Sequence, residues 1–119
     1  LSRMKDVQIS NDAFEIKKDF KLEKYIDPDF GIWNSDEKPT KIELIFSKEI
    51  NTYILERTWH VNQKCKQQKD GSVYLTFMSN QLQETLHWVM SFGSSVQVVN
   101  PPELVDMVKE EIKKLKKMY

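Results

Sequence analysis

Polar and apolar positions fall into a regular order from Lys41 onward. In KIELIF (41–46) they alternate, which places Ile42, Leu44 and Phe46 on one face of a strand. Ser47 can cap a helix, and behind it Ile50, Tyr53 and Ile54 recur at helical spacing, predicting a short helix from Lys48. QKCKQQ (63–68) is a polar run that qualifies only as an edge strand, where its lysines discourage unwanted pairing. KDGS (69–72) carries Asp-Gly, a strong hairpin signal. SVYLTFM then alternates, with Val73, Leu75 and Phe77 on one face.

Asn80 and Gln83 have the spacing of a capping box. The helix they predict turns Leu82, Leu86, Val89 and Met90 inward and ends near Gly93, a residue suited to a left-handed cap. SVQVV (95–99) predicts a fourth strand. Asn100, Pro101, Pro102 and Glu103 open a last helix, where proline is tolerated because a first-turn N–H has no helical partner to lose. Leu104, Val108, Ile112, Leu115 and Tyr119 line one face of it, and Lys113, Lys114, Lys116 and Lys117 complement the negative end of its dipole. The order β-α-β-β-α-β predicts an α+β fold: a ferredoxin-like antiparallel sandwich with both helices on one face of the sheet. The added C-terminal helix must then dock on the sheet edge, the open face or a partner.

Ahead of Lys41 the pattern is weaker. Residues 1–12 alternate loosely about Val7 and Ile9 before a Ser-Asn-Asp turn, and read as the last strand of a domain whose remainder is absent. Residues 13–39 carry Phe14, Phe20, Tyr25, Phe30 and Trp33 among charges. A disordered linker is poor in aromatics, so these rings predict a connector anchored on folded surface, with a short helical turn at 22–26. Residues 40–119 form the folded unit. Because the chain opens on Leu1 with a strand already under way, it is expected to be a piece of a longer protein.

Composition narrows the function. Of 119 residues, 39% are hydrophobic and 11% aromatic, enough for one buried core. Eighteen basic residues balance 18 acidic ones, which argues against a bulk electrostatic nucleic-acid binder but leaves room for a local basic patch. The single cysteine, Cys65, cannot form an internal disulfide, which points to an intracellular chain. Its lysine neighbours can lower a thiol pKa; the alternative is an inert strand thiol. No apolar run is long enough for a membrane span.

Catalytic and metal-binding patterns are sparse. His60 and His87 each lack a second ligand at helical spacing, and the three glycines make no phosphate cradle. No enzyme activity, metal or cofactor is expected. ERTWHVNQK (56–64) is richer: Arg57, Trp59, His60, Gln63 and Lys64 place a guanidinium, an indole, an imidazole and an amide at a helix end. Such a set can stack a base and hold a phosphate. The alternative is structural, with Trp59 closing the core and Arg57 paired to a surface carboxylate. An RNA-recognition sheet would need aromatics on the open face of its central strands, where this chain offers only Tyr74 beside Lys41, Glu43 and Ile45.

The motifs R-x-W-H-x-x-Q (57–63) and W-V-x-S-F-G-x-x-V-x-V-x-x-P (88–101), with DGSVYLTF between them and a closing tyrosine, resemble the C-terminal extension of WYL-domain transcriptional regulators. FEIKKDFKLEKYIDPDFGIW resembles the connector after their WYL domain, and LSRMKDVQI its last strand. The tryptophan-tyrosine-leucine signature and the DNA-binding winged helix are both absent. The resemblance implies a bacterial, cytoplasmic regulator that reads promoter DNA through a domain outside this chain. It implies a ferredoxin-like extension that helps build a homodimer and takes part in sensing an effector, such as single-stranded nucleic acid or a nucleotide. Arg3 matches an arginine of the last WYL strand, and Arg57 and His60 match the motif of the extension. With Trp59, Gln63 and Lys64 they are the candidate effector contacts. A structural dimerisation scaffold without ligand and a small-molecule-sensing domain are the rival readings.

Overall fold

The computed structural model describes residues 4–21 and 38–119. The turn expected at 22–26, the rings of Tyr25, Phe30 and Trp33, and the candidate contact Arg3 lie outside them. Four strands are present: β1 (Thr40–Phe46), β2 (Lys64–Gln67), β3 (Val73–Ser79) and β4 (Val96–Asn100). Helix α1 (Asn51–Leu55) follows β1 after a 3-10 turn at Lys48–Ile50, α2 (Leu82–Met90) joins β3 to β4, and α3 (Pro102–Met118) ends the chain. The element order is the one the alternation predicts. The sheet runs β2-β3-β1-β4 with every pairing antiparallel, so the fold is α+β with an added C-terminal helix.

Register explains the core. Ile42, Leu44 and Phe46 stand opposite Phe77, Leu75 and Val73 on adjacent central strands, so all six side chains share one face. That face is shut from solvent by Ile54 of α1, Leu86 and Val89 of α2, and Leu104 of α3. Truncating a buried leucine such as Leu44 to alanine would cost about 2–5 kcal/mol. The opposite face is polar: Lys41 bridges Glu43, which also bonds the Tyr74 hydroxyl. The hydrogen bond from Lys41 holds the Glu43 carboxyl below its ordinary range, and desolvation followed by the bond to Glu43 pushes the Tyr74 phenol up. Tyr74 is thereby tied down at its polar end rather than presented as a free stacking platform.

Several local expectations resolve differently. Ser47 stands where a cap was expected but makes no cap bond; its hydroxyl bonds the Glu49 carboxylate and lowers that carboxyl's pKa. The capping box is not formed: Gln81 occupies the N-cap without a side-chain cap, and the Gln83 amide meets His87 one turn on. Asp-Gly serves a longer loop than a two-residue hairpin, with Gln68 N–H bonding Ser72 O, and Asp70 accepting from the Ser72 N–H and hydroxyl. Cys65 faces Leu75 across the ladder, where partial burial pushes its thiol pKa up, which agrees with the inert strand thiol and not with activation by its lysine neighbours. The pairing of β1 with β4 is interrupted by a bulge at Glu43/Leu44 that alternation alone does not reveal.

Within residues 4–21 there is no strand or helix, and Val7, Ile9 and Phe14 are exposed. Residues 4–12 pair with no strand of the described sheet. Phe14 is 87% exposed, so that ring does not anchor the connector on the described domain.

Two glycines sit in the left-handed region, Gly71 at φ +87° and Gly93 at +57°. A Cβ at Gly71 would stand 3.2 Å from the Lys48 Cβ, whereas one at Gly93 would meet open space. Both alanine variants bear the backbone cost of about 1–2 kcal/mol, and Gly71→Ala adds crowding between the hairpin and the 3-10 turn ahead of α1. Urea denaturation is therefore expected to rank Gly71→Ala as the less stable of the two. An equal or reversed ranking would remove the hairpin contact from the account.

Candidate functional site

Of the candidates in ERTWHVNQK, Arg57, Trp59, His60 and Gln63 lie on the loop from α1 to β2, and Lys64 opens β2. That loop is pinned from below by aromatic packing. The Trp59 indole lies 5.2 Å from the Tyr53 ring, 5.4 Å from Trp88 and 5.9 Å from Phe92, centroid to centroid. Phe46 carries the stack into the core, at 5.9 Å from Trp88 and 5.2 Å from Phe92. Each such pair contributes about 0.5–1.5 kcal/mol beyond its buried area. The indole N–H donates to Ile54 O at 3.1 Å, which fixes the ring's rotation. Trp59 is thus part of the wall of the core, with one region still partly exposed.

Gln63 organises the loop. Its Oε1 accepts from the N–H of Trp59 at 2.6 Å and of His60 at 3.0 Å, and its Nε2 donates to Arg57 O at 3.1 Å. One amide closes the turn from both sides. The side chain is therefore a positioning group whose polar atoms are engaged inside the protein. His60 is buried, 3% exposed, with its ring stacked on Phe77 at 4.9 Å and 19°. Its Nδ1 accepts from the Asn62 N–H at 3.3 Å. The imidazole stacks as its motif suggests, but on the core. Asn62 then takes the Met78 N–H on its own Oδ1, extending the β2–β3 ladder by one side-chain bond.

Arg57 is placed differently. Its guanidinium carbon lies 4.4 Å from the centre of the Tyr53 ring and 5.8 Å from the Trp59 ring. Arg57 is exposed, and among the described residues it forms no ion pair with a carboxylate. Of the structural alternative, the half concerning Trp59 is present; the surface carboxylate for Arg57 is not among the described residues. A guanidinium lying on aromatic faces keeps its edge N–H groups directed outward, where a planar oxyanion can meet two of them. Lys64, the first residue of β2, is exposed and stands opposite Thr76, without a hydrogen bond or ion pair to Arg57 among the described residues. Sequence reading left Tyr53 in the apolar stripe of the helix. The missed signal is the ring four residues ahead of Arg57: the chain leaving α1 turns the guanidinium back over Tyr53.

Gln63→Ala leaves two loop N–H groups and one carbonyl without partners, so it is expected to lower stability by about 1–3 kcal/mol. Chemical denaturation measures that loss, and hydrogen exchange should localise it to the amides of Trp59 and His60. A loss below about 0.5 kcal/mol, the range of ordinary surface changes, would show that the aromatic stack holds the loop without Gln63.

Among the described residues, no helix is long and apolar enough to cross a membrane. None of the curated proteins matches the chain. The WCX domain family matches residues 38–116, from just before β1 to near the end of α3. That span contains the whole sheet, the aromatic stack and the Arg57 loop. WCX is a regulatory-type domain rather than a known enzyme family. The chain belongs to the WCX domain family, the C-terminal extension of WYL-type regulators.

Proposed function

We propose that this domain is the effector-sensing and dimer-forming region of a bacterial, cytoplasmic WYL-type transcriptional regulator, and that its effector carries phosphate: single-stranded nucleic acid or a nucleotide. The carrying observation is the exposed Arg57 guanidinium, laid on Tyr53 and Trp59 with no carboxylate partner among the described residues. An arginine already seated over an aromatic ring loses less freedom on meeting a phosphate. Trp59, partly exposed beside it, offers a surface against which a base can rest. Lys64 adds a second positive charge on the following strand, and Arg3 is a proposed contact from the N-terminal segment. Gln63 and His60 serve the site indirectly, by fixing the loop. The strand order supports reading the fold as ferredoxin-like, with β3 placed between β1 and β2 and β4 on the outer side of β1.

Promoter DNA would be read by a domain outside this chain. Effector binding would shift the placement of that domain only through different affinities for its two arrangements. The rival scaffold reading draws on the same loop: Gln63, His60 and the Trp59 indole all have partners within the protein.

Fluorescence anisotropy with a labelled short single-stranded oligonucleotide separates the two. The proposal predicts saturable binding that weakens as salt rises, with Arg57→Ala lowering affinity about tenfold, the scale of one charged hydrogen-bonded contact. Removing one phosphate contact should also reduce the slope of log K against log salt by about 0.7. Tyr53→Ala, which removes the ledge and keeps the charge, should weaken binding less. Identical titrations for the parent chain and Arg57→Ala would leave the scaffold reading standing.

A further inference from the structure

The face of the sheet turned away from the helices carries a second basic surface. Register sets Lys66, Tyr74, Ile45 and Gln97 side by side, one from each strand, in a row that crosses the whole sheet. Leu44, Phe46, Val73 and Leu75, the strand neighbours of Ile45 and Tyr74, are buried in the core, so the row projects from the open face. With strands about 4.8 Å apart, it runs about 14 Å from the Lys66 backbone to that of Gln97. Ile45 and Tyr74 are half-buried and form an apolar floor, while Lys66 and Gln97 are exposed at its two ends. The Tyr74 hydroxyl bonds Glu43, which fixes the ring as part of that floor. The hairpin contributes Lys69 at the Lys66 end, and these side chains bound an open basin of about 950 Å³.

The positive charge of the basin is uncompensated. Lys66 and Lys69 form no ion pair among the described residues. Asp70, the carboxylate in the lining, is occupied by the Ser72 N–H and hydroxyl. Protection of an edge accounts for a lysine on β2, but Lys69 lies in the turn beyond that strand, where there is no edge to guard.

We propose that this basin binds a nucleotide, with its phosphate on Lys66 and Lys69, its base over Ile45 and Tyr74, and the Gln97 amide at the base edge. The inference rests on the reading of the effector as phosphate-bearing and places a second contact away from Arg57. Arg57 and Trp59 lie with the helices, against Tyr53 and Trp88, on the other face of the sheet. Two ammonium groups at one end match the charge of a terminal phosphate. The floor gives a planar base apolar contact, and a glutamine amide can donate to a base edge and accept from it at once. The row is long enough for one base, its sugar and its phosphate laid end to end. With a single ring in the row, the face lacks the paired aromatics on which an RNA-recognition sheet stacks successive bases, which favours one nucleotide over a run of them.

Nitrogen-15 amide spectra of the 119-residue chain, titrated with AMP, test this. The amides of residues 66–72, Tyr74 and Gln97 are expected to shift saturably. Adenosine, which lacks the phosphate, and inorganic phosphate, which lacks the base, should each bind about tenfold more weakly or worse. Lys66→Glu combined with Lys69→Glu should lower AMP affinity by about tenfold or more. The spectrum of that variant should remain that of a folded chain, because a charge of either sign guards an edge. No shift in these amides at about 5 mM AMP, a concentration above a millimolar Kd, overturns the site. So does AMP binding indifferent to the double charge reversal, or equal binding of AMP and adenosine. Shifts confined to residues 53–63 overturn it as well and leave the Arg57 reading standing. A short single-stranded oligonucleotide that moves the basin amides at lower concentration than AMP assigns the nucleotide to the end of a strand. Shifts with AMP alone assign it to a free nucleotide, and either result supports the site.

Discussion

The aromatic stack beneath the α1–β2 loop is the interaction on which the site depends. Phe46 comes from the central strand, Trp88 and Phe92 from α2 and the residues just after it, and Tyr53 from α1. Trp59 brings the loop onto them. Without it, the loop would be an exposed connection of polar residues, and the position of Arg57 would be undefined. With it, a guanidinium is fixed over two rings by a chain of contacts that begins in the hydrophobic core. Cation–π attraction adds only about 0.5–1 kcal/mol at an exposed site. The larger effect is that Arg57's backbone is held by Gln63 and its side chain has a defined surface to lie on.

Fold and site thus share a small set of residues. His60 closes the end of the core by stacking on Phe77, and Gln63 ties the turn that contains His60 and Trp59. The R-x-W-H-x-x-Q motif therefore has one outward-facing member and three that hold it in place. α3 divides in a similar way, its first turns docked on β4 and α2 and its later turns presenting an apolar stripe.

Element order was legible because strand alternation at 41–46, 73–78 and 96–98 is undisturbed by function. Where the reading failed, tertiary context had altered a local preference. Asn80 and Gln83 have capping spacing, yet α2 begins without a side-chain cap and the Gln83 amide reaches His87 instead. The bulge in β4 depends on pairing with β1, which no local pattern encodes. The candidate loop was visible as a chemical set, but not the division of labour within it. Burial of His60 and the threefold use of the Gln63 amide are consequences of chain reversal, not composition. The α3 stripe was read as one face with Leu104; in the fold, Leu104 turns into the core and Val105 takes its place in the groove between α3 and β4.

The chain has two arginines, Arg3 and Arg57, so the side-chain Nε–Hε region of a nitrogen-15 spectrum is simple enough to read directly. Recording it during a titration with a short single-stranded oligonucleotide tests whether Arg57 is the immobilised phosphate contact. The account predicts an Arg57 resonance already displaced by the Tyr53 and Trp59 ring currents, which moves saturably on addition of oligonucleotide. It also predicts that Tyr53→Ala abolishes much of the initial displacement. An Arg57 resonance at the position of a free arginine, unmoved through the titration, would contradict it.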